Sequence, residues 1–355
     1  MVNPTAIKIT EGTLPYPSAT LDTPLLARIA ELGGGLMLKG DRGASAAAVL
    51  RSRGYAGTLV LDPARYEQAT STPDQGSLFG DYDPWIRQQQ AQGVTTFIAP
   101  SHGIGPREFT RVAEVLAAGK TFAAEVSAHG IDAEVVVPVN IYRSWVVSRC
   151  RELRDVAGDT PFTIGLLLTN PGDPLDRKGA VAGLTEVVRG LPGCAVLRTD
   201  LAGGLGALSV GARWVSIGTM PTHRHATKPG TPGFSPNVTD RTPSIVVSEL
   251  LSFRKASKLE QLERVDPVLT CRCHVCKGAD IRRFADPAYY DEGEFHNAAV
   301  VADLTNTLVA ASDRTATWGN WCNRAVDTHA WVEQVTGVAL PVPLAIEEWA
   351  AISST

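Results

Sequence analysis

Long hydrophobic runs are missing from this chain of 355 residues. With no stretch of eighteen apolar residues, a membrane-spanning helix is excluded. The N-terminus shows no basic-then-apolar leader pattern, so a soluble, cytoplasmic protein is expected. Charge is sparse as well: 20% of residues are charged and the net charge is −4, which gives no overall basic field to attract nucleic acid. A local basic face is still compatible with that balance. Cysteine is scarce outside one cluster. Of six cysteines, Cys150, Cys194 and Cys322 are scattered and read as buried thiols, which excludes a disulfide framework. Internal repeats and low-complexity tracts are absent. Hydrophobic residues make up 44%, enough for one large barrel or two ordinary domains.

What is present is concentrated in Cys271-Arg272-Cys273-His274-Val275-Cys276, with His296 twenty positions further on. Three thiols and an imidazole supply four soft or borderline ligands, the demand of a closed tetrahedral Zn²⁺ site. A closed site organises structure and leaves no position for substrate. His274 is expected outside the coordination sphere, because Cys271, Cys273, Cys276 and His296 already fill it. The plainer alternative is a set of redox-active or incidental thiols.

Upstream, short apolar runs alternate with amphipathic segments. The runs are Gly35–Lys39, Thr58–Asp62, Thr95–Ser101, Glu134–Asn140, Phe162–Asn170, Ala195–Asp200 and Trp214–Gly218. Continuous apolar runs suit parallel strands covered on both faces. Phe109, Val112, Ala113 and Leu116 recur at helical spacing, with Pro106 in the first turn, and so do Val146, Cys150, Leu153 and Ala157. The triple glycine at 33–35 precedes its strand instead of following it, so a Rossmann fold is a weak reading. The pattern predicts a (β/α)₈ TIM-type barrel over 1–242 with a C-terminal zinc-binding subdomain and helices over 243–355. Seven strands are assigned; Ser244–Leu250 is the candidate for the eighth, or else opens a helix. Thr219–Thr242, with four prolines, reads as a long irregular loop and Leu250–Glu263 as a charged helix. Asn297–Ala311 reads as a buried helix, and the tail tryptophans as helix packing or an oligomer surface in preference to base stacking.

Asp266-Pro267, the Cys-x-Cys-x-x-Cys run, His296-Asn297 and the tripeptide Met220-Pro221-Thr222 together resemble the tRNA-guanine transglycosylase family. The resemblance is specific over about residues 211–310 and architectural before that. The interval from Cys276 to His296 is shorter than the bacterial tRNA enzymes lead one to expect, which implies a divergent branch near the DNA-modifying relatives. It implies a structural Zn²⁺, a homodimer, and exchange of a purine or 7-deazaguanine base in tRNA or DNA. Such chemistry is retaining glycosyl transfer: a carboxylate meets the anomeric carbon and a second group moves protons.

The resemblance carries over unevenly. Asp62 stands where the family keeps its acid/base carboxylate, though an aspartate before Pro63 also suits a turn that bonds local backbone. Ser216 falls where the attacking aspartate belongs, and Ile217 occupies the neighbouring register. Asn140 takes the place of a base-recognising aspartate. Asp200 is another strand-end carboxylate that could replace the nucleophile, unless it pairs with Arg198 or another neighbour. His102 and the His223-Arg224-His225 loop complete the titratable set expected at the barrel mouth. Arg224, Lys228, Arg254, Lys255 and Lys258 form either a phosphate-contacting strip or a solvated face balanced by Glu249, Glu260 and Glu263. Three readings follow: a transglycosylase-like enzyme; a non-catalytic nucleic-acid- or partner-binding paralogue, favoured by serine at 216; and a zinc-dependent barrel hydrolase, ranked lowest for want of an open metal position.

Overall fold

The computed structural model of the chain describes residues 8–11, 23–40, 42–67, 82–158, 160–169, 172–226 and 240–352. Eight parallel strands close into a barrel: β1 (Lys8–Glu11), β2 (Gly34–Lys39), β3 (Thr58–Asp62), β4 (Thr96–Ile98), β5 (Glu134–Tyr142), β6 (Thr163–Thr169), β7 (Ala195–Thr199) and β8 (Trp214–Gly218). Helices α1 (Thr23–Glu31), α2 (Gly43–Ser52), α3 (Asp83–Ala91), α4 (Arg111–Ala128), α5 (Arg143–Ser148), α6 (Cys150–Ala157), α7 (Ala180–Gly190) and α8 (Leu201–Ser209) lie between them. Beyond the barrel come the hairpin β9 (Ser244–Val247) and β10 (Ser252–Lys255), then the short α9 (Ala256–Leu259). A two-residue pair follows, β11 (Thr270–Cys271) with β12 (Ala279–Asp280), and then α10 (Tyr290–Ala310), α11 (Arg314–Thr336) and α12 (Leu344–Ile352).

Side chains alternate across the strands as the pleat requires. Met37, Val60, Ile98, Val136, Leu167, Ala195, Leu197 and Trp214 fill the bore. Their neighbours Leu38, Leu61, Phe97, Val137, Leu166, Val215 and Ile217 pack outward in the larger core. That core runs without a break into the C-terminal elements, taking in Phe284, Val300, Trp318 and Trp349. Gly206 on α8 has no Cβ where the Trp349 indole passes; an added one would sit 2.2 Å from the ring. Trp318 and Trp349 are therefore helix packing, whereas Trp331 is 37% exposed.

Several expectations need correction. The eighth strand is Lys8–Glu11, which pairs with both β2 and β8 and closes the barrel from the N-terminal side. Ser244–Val247 is a strand of a separate hairpin, because it turns back on Ser252–Lys255 instead of joining β8. Asp62 accordingly ends the third strand and Asn140 lies inside the fifth. The helix read from Phe109 begins at Arg111, so Pro106 lies outside its first turn. The helix read through Val146 and Cys150 breaks at Arg149 into α5 and α6. Leu250–Glu263 is strand, then a single helical turn, not a continuous helix. Lys228 and most of the loop expected over Thr219–Thr242 lie outside the described residues. Among the described residues, no helix is long and apolar enough to cross a membrane.

Candidate active site and metal centre

The donor atoms of Cys271, Cys273, Cys276 and His296 all lie within 4.8 Å of one another, and all four residues are buried. Nδ1 of His296 faces Sγ of Cys276 at 3.2 Å and Sγ of Cys273 at 3.5 Å. The opposite ring nitrogen, Nε2, donates to the Val246 carbonyl at 2.9 Å, which leaves Nδ1 as the lone-pair side turned to the sulfurs. Backbone amides of Cys273 and Cys276 donate to the Cys271 and Cys273 sulfurs, both at 3.4 Å. A buried quartet with one imidazole fixed from outside can hold one metal ion. His274 is exposed and stands outside it.

The next residue on α10 ties this knot to the barrel. Asn297 Oδ1 accepts from Val246 N at 2.8 Å; its Nδ2 donates to the carbonyls of Ser244 at 2.8 Å and Thr219 at 3.0 Å. Thr219 directly follows β8 and precedes Met220-Pro221-Thr222. The clamp therefore sets where the chain leaves the rim.

From that point the chain crosses the C-terminal mouth, where a barrel presents its strand-end side chains. Ala226 bridges Thr169 at the end of β6 and belongs to the bore cluster. Arg198 holds the crossing in place. Its φ is +50°, left-handed for a non-glycine residue, and the β7–β8 register shifts there. The kink turns the guanidinium inward, fully buried, where it donates to Thr222 O at 3.1 Å and His225 O at 3.4 Å and pairs with Glu67. Glu67 also takes Lys39 Nζ at 2.6 Å. Although burial opposes it, these two cations hold the Glu67 carboxyl below its usual range. Burial, with Arg198 and Lys39 nearby, pushes His223 down to about 4, so it is neutral near pH 7.

Asp62 lies buried in the same corner. Its Oδ1 accepts from Ala64 N at 2.9 Å and its Oδ2 from the Tyr66 hydroxyl. Burial raises its affinity for a proton, against the opposing pull of Arg198 and Tyr66. Ser216 faces the bore from β8, but its Oγ accepts the Arg198 amide at 2.8 Å, and Ile217 packs outward. Neither is placed as an attacking group. Asn140 is 1% exposed and Thr169 fully buried, and Asn140 Oδ1 and Nδ2 and Thr169 Oγ1 have no hydrogen-bond partner. Unpaired buried polar atoms on an inward face cost free energy, and a ligand would satisfy them. His102 stands apart, exposed, in a shallow cleft with Arg111 and Glu114.

Asp200 caps α8, its Oδ1 accepting from Gly203 N at 2.7 Å. Its carboxylate meets Asp173, from the segment after β6, and His225: one donor atom from each lies within 4.8 Å of the others. Burial and the neighbouring Asp200 push Asp173 up to about 8. His225 is held below its usual range by burial, with Asp200 opposing. Arg224 lies over the Phe253 ring and is pushed down to about 9 by burial. Sequence reasoning missed Asp173, although it carries the same mark as Asp62 and Asp200, a carboxylate just past an apolar run. Tyr66, Glu67 and Lys39 carried no such mark.

No family model matches the chain, and no curated protein matches it. Solved structures similar to it are barrel enzymes at low identity. The 3-dehydroquinate dehydratase from Aquifex aeolicus is 8% identical, covering 63% of this chain and 93% of that one, with a TM-score of 0.35. A monomeric dihydrodipicolinate synthase variant is 12% identical, covering 95% and 99%, with a TM-score of 0.34. The carboxyl transferase domain of Rhizobium etli pyruvate carboxylase is 13% identical, covering 99% of this chain and 61% of that one, with a TM-score of 0.37. These likenesses carry no functional argument.

Two outcomes follow from this geometry. Cys273→Ser should lose bound metal and solubility together; elemental analysis showing full retention would remove Cys273 from the donor set. Asp173 binds its proton more tightly folded than unfolded. Its stabilising contribution is therefore complete below its unfolded value of 3.8 and gone once pH passes about 8. Asp173→Asn should melt higher than the parent at pH 8.5, with the gap narrowing steadily toward pH 5.5. A gap that stays constant across that range in melting scans would show that Asp173 is not proton-bearing.

Proposed function

We propose that this chain is an enzyme that breaks the N-glycosidic bond of a purine or 7-deazapurine nucleotide, in the manner of the tRNA-guanine transglycosylases, with zinc in the Cys₃His knot. One observation supports it above the others. The four knot donors converge, and the helix carrying His296 is hydrogen-bonded through Asn297 to Thr219, beside Met220-Pro221-Thr222 at the barrel rim. The two stretches of sequence that carry the family resemblance are thereby one physical unit.

The working carboxylates in this reading are Asp200 and Asp173. Asp200 attacks the anomeric carbon as its bond to the base breaks, and the departing base takes the Asp173 proton. Burial beside Asp200 favours a proton on Asp173, which suits Asp173 to the acid's part in glycosyl transfer. Asn140 offers the base an amide donor and acceptor. Asp62 acts through Tyr66 and Ala64 to shape the rim and does not itself reach the sugar. The nucleic acid, tRNA or DNA, would approach over the post-β8 crossing with Arg224 at its edge.

Labelled guanine should enter tRNA or duplex DNA on incubation with the protein, with turnover falling as pH rises past about 8. A covalent nucleic-acid adduct should be trappable on denaturation and absent in Asp200→Asn. An adduct that persists in that variant would retire Asp200 as nucleophile. Tight nucleic-acid binding without any incorporation would instead support the non-catalytic paralogue, the reading that serine at 216 favours.

A further inference from the structure

The rim cluster has a second property that base exchange does not use. Asp173, Asp200 and His225 come from three different loops, after β6, β7 and β8, and offer two carboxylates and an imidazole to one point. Ligands about 2.1 Å from one ion lie about 3.0 Å apart when adjacent and 4.2 Å when opposite. Donor atoms within 4.8 Å of one another therefore need to close by less than about 2 Å to meet on one ion. With a neutral imidazole and the Asp173 proton displaced by the ion, the set carries two negative charges, which a divalent cation cancels. Three protein ligands leave positions for water.

An independent feature beside the cluster also calls for a ligand. Thr169 is fully buried, on the same inward parity as Leu167 in the bore, and its hydroxyl has no hydrogen-bond partner. Its backbone bridges Ala226, the residue next to His225. His225 Nδ1 is likewise unpaired. A hydrated cation at the three donors would present water to such oxygens and nitrogens.

We propose that Asp173, Asp200 and His225 form a second metal site, for a hard or borderline divalent cation with open positions, distinct in chemistry from the thiolate knot. The donor sets sort the metals: three thiolates favour zinc, whereas carboxylate and imidazole accept manganese. An ion held there occupies both carboxylates, so Asp200 is no longer available to the sugar. Its effect on turnover rests on the base-exchange reading. Its binding does not.

The test uses the zinc-loaded protein and Mn²⁺, whose free form is counted directly by electron paramagnetic resonance. One Mn²⁺ per chain should bind without displacing zinc, and Asp173→Asn and His225→Gln should each weaken it at least about tenfold while zinc content stays at the parent level. Asp176→Asn, just outside the set, should bind Mn²⁺ as the parent does. No Mn²⁺ binding by the parent, or unchanged affinity in both ligand variants, would overturn the site. Base exchange, where present, should slow as Mn²⁺ saturates. Binding that is lost in the ligand variants, with exchange absent throughout, would keep the site and discard the base-exchange reading.

Discussion

A single asparagine next to a histidine of the candidate metal quartet ties the Cys₃His knot to the barrel rim. Asn297 satisfies one amide and two carbonyls, on Val246, Ser244 and Thr219, while His296 beside it reaches the Val246 carbonyl with the nitrogen that faces away from the sulfurs. Buried backbone groups have no water to fall back on, so each of these bonds is costly to leave unmade. A metal ion held by the four donors would fix the His296 ring. The ring fixes β9 against α10, and Asn297 then fixes the exit of β8. Positional information passes from the knot to the rim through hydrogen bonds.

The rim is held from its other side by charge. Arg198 is buried in a left-handed backbone conformation, and such a residue persists only where its surroundings over-determine it. Glu67, which also takes Lys39, supplies the neutralising partner, and the carbonyls of Thr222 and His225 accept further donors. A buried ion pair of this kind is weak evidence for stability and better evidence for a specific geometry. Here the geometry is that of the crossing chain that carries His223 and His225 over the mouth.

The same surroundings divide the carboxylates by role. Asp62 and Asp173 are both driven toward the protonated form by burial, yet Asp62 has each oxygen occupied by a local donor, whereas Asp173 faces a second carboxylate. The first arrangement stiffens a turn. The second favours a proton on Asp173.

Much of this was legible in the chain itself. Seven of the barrel strands announced themselves as continuous apolar runs, and the Cys₃His quartet as thiols and imidazole at ligand spacing. The eighth strand did not: Lys8–Glu11 is four residues of mixed polarity, and only pairing on both edges makes it a barrel strand. Ser244–Val247 looked as apolar as its barrel counterparts, and its neighbours in space placed it elsewhere. Residue type and local periodicity are properties of short windows, so sequence alone determined the βα rhythm and which residues form the Cys₃His quartet. Arg198 and Glu67 are 131 residues apart in the chain, and Asp173, Asp200 and His225 lie on three separate loops. Their meeting depends on how the barrel closes and where its loops cross, a relation between distant segments that no window of sequence contains. The tertiary structure therefore decided which carboxylates meet, and that Ser216 Oγ accepts a backbone amide.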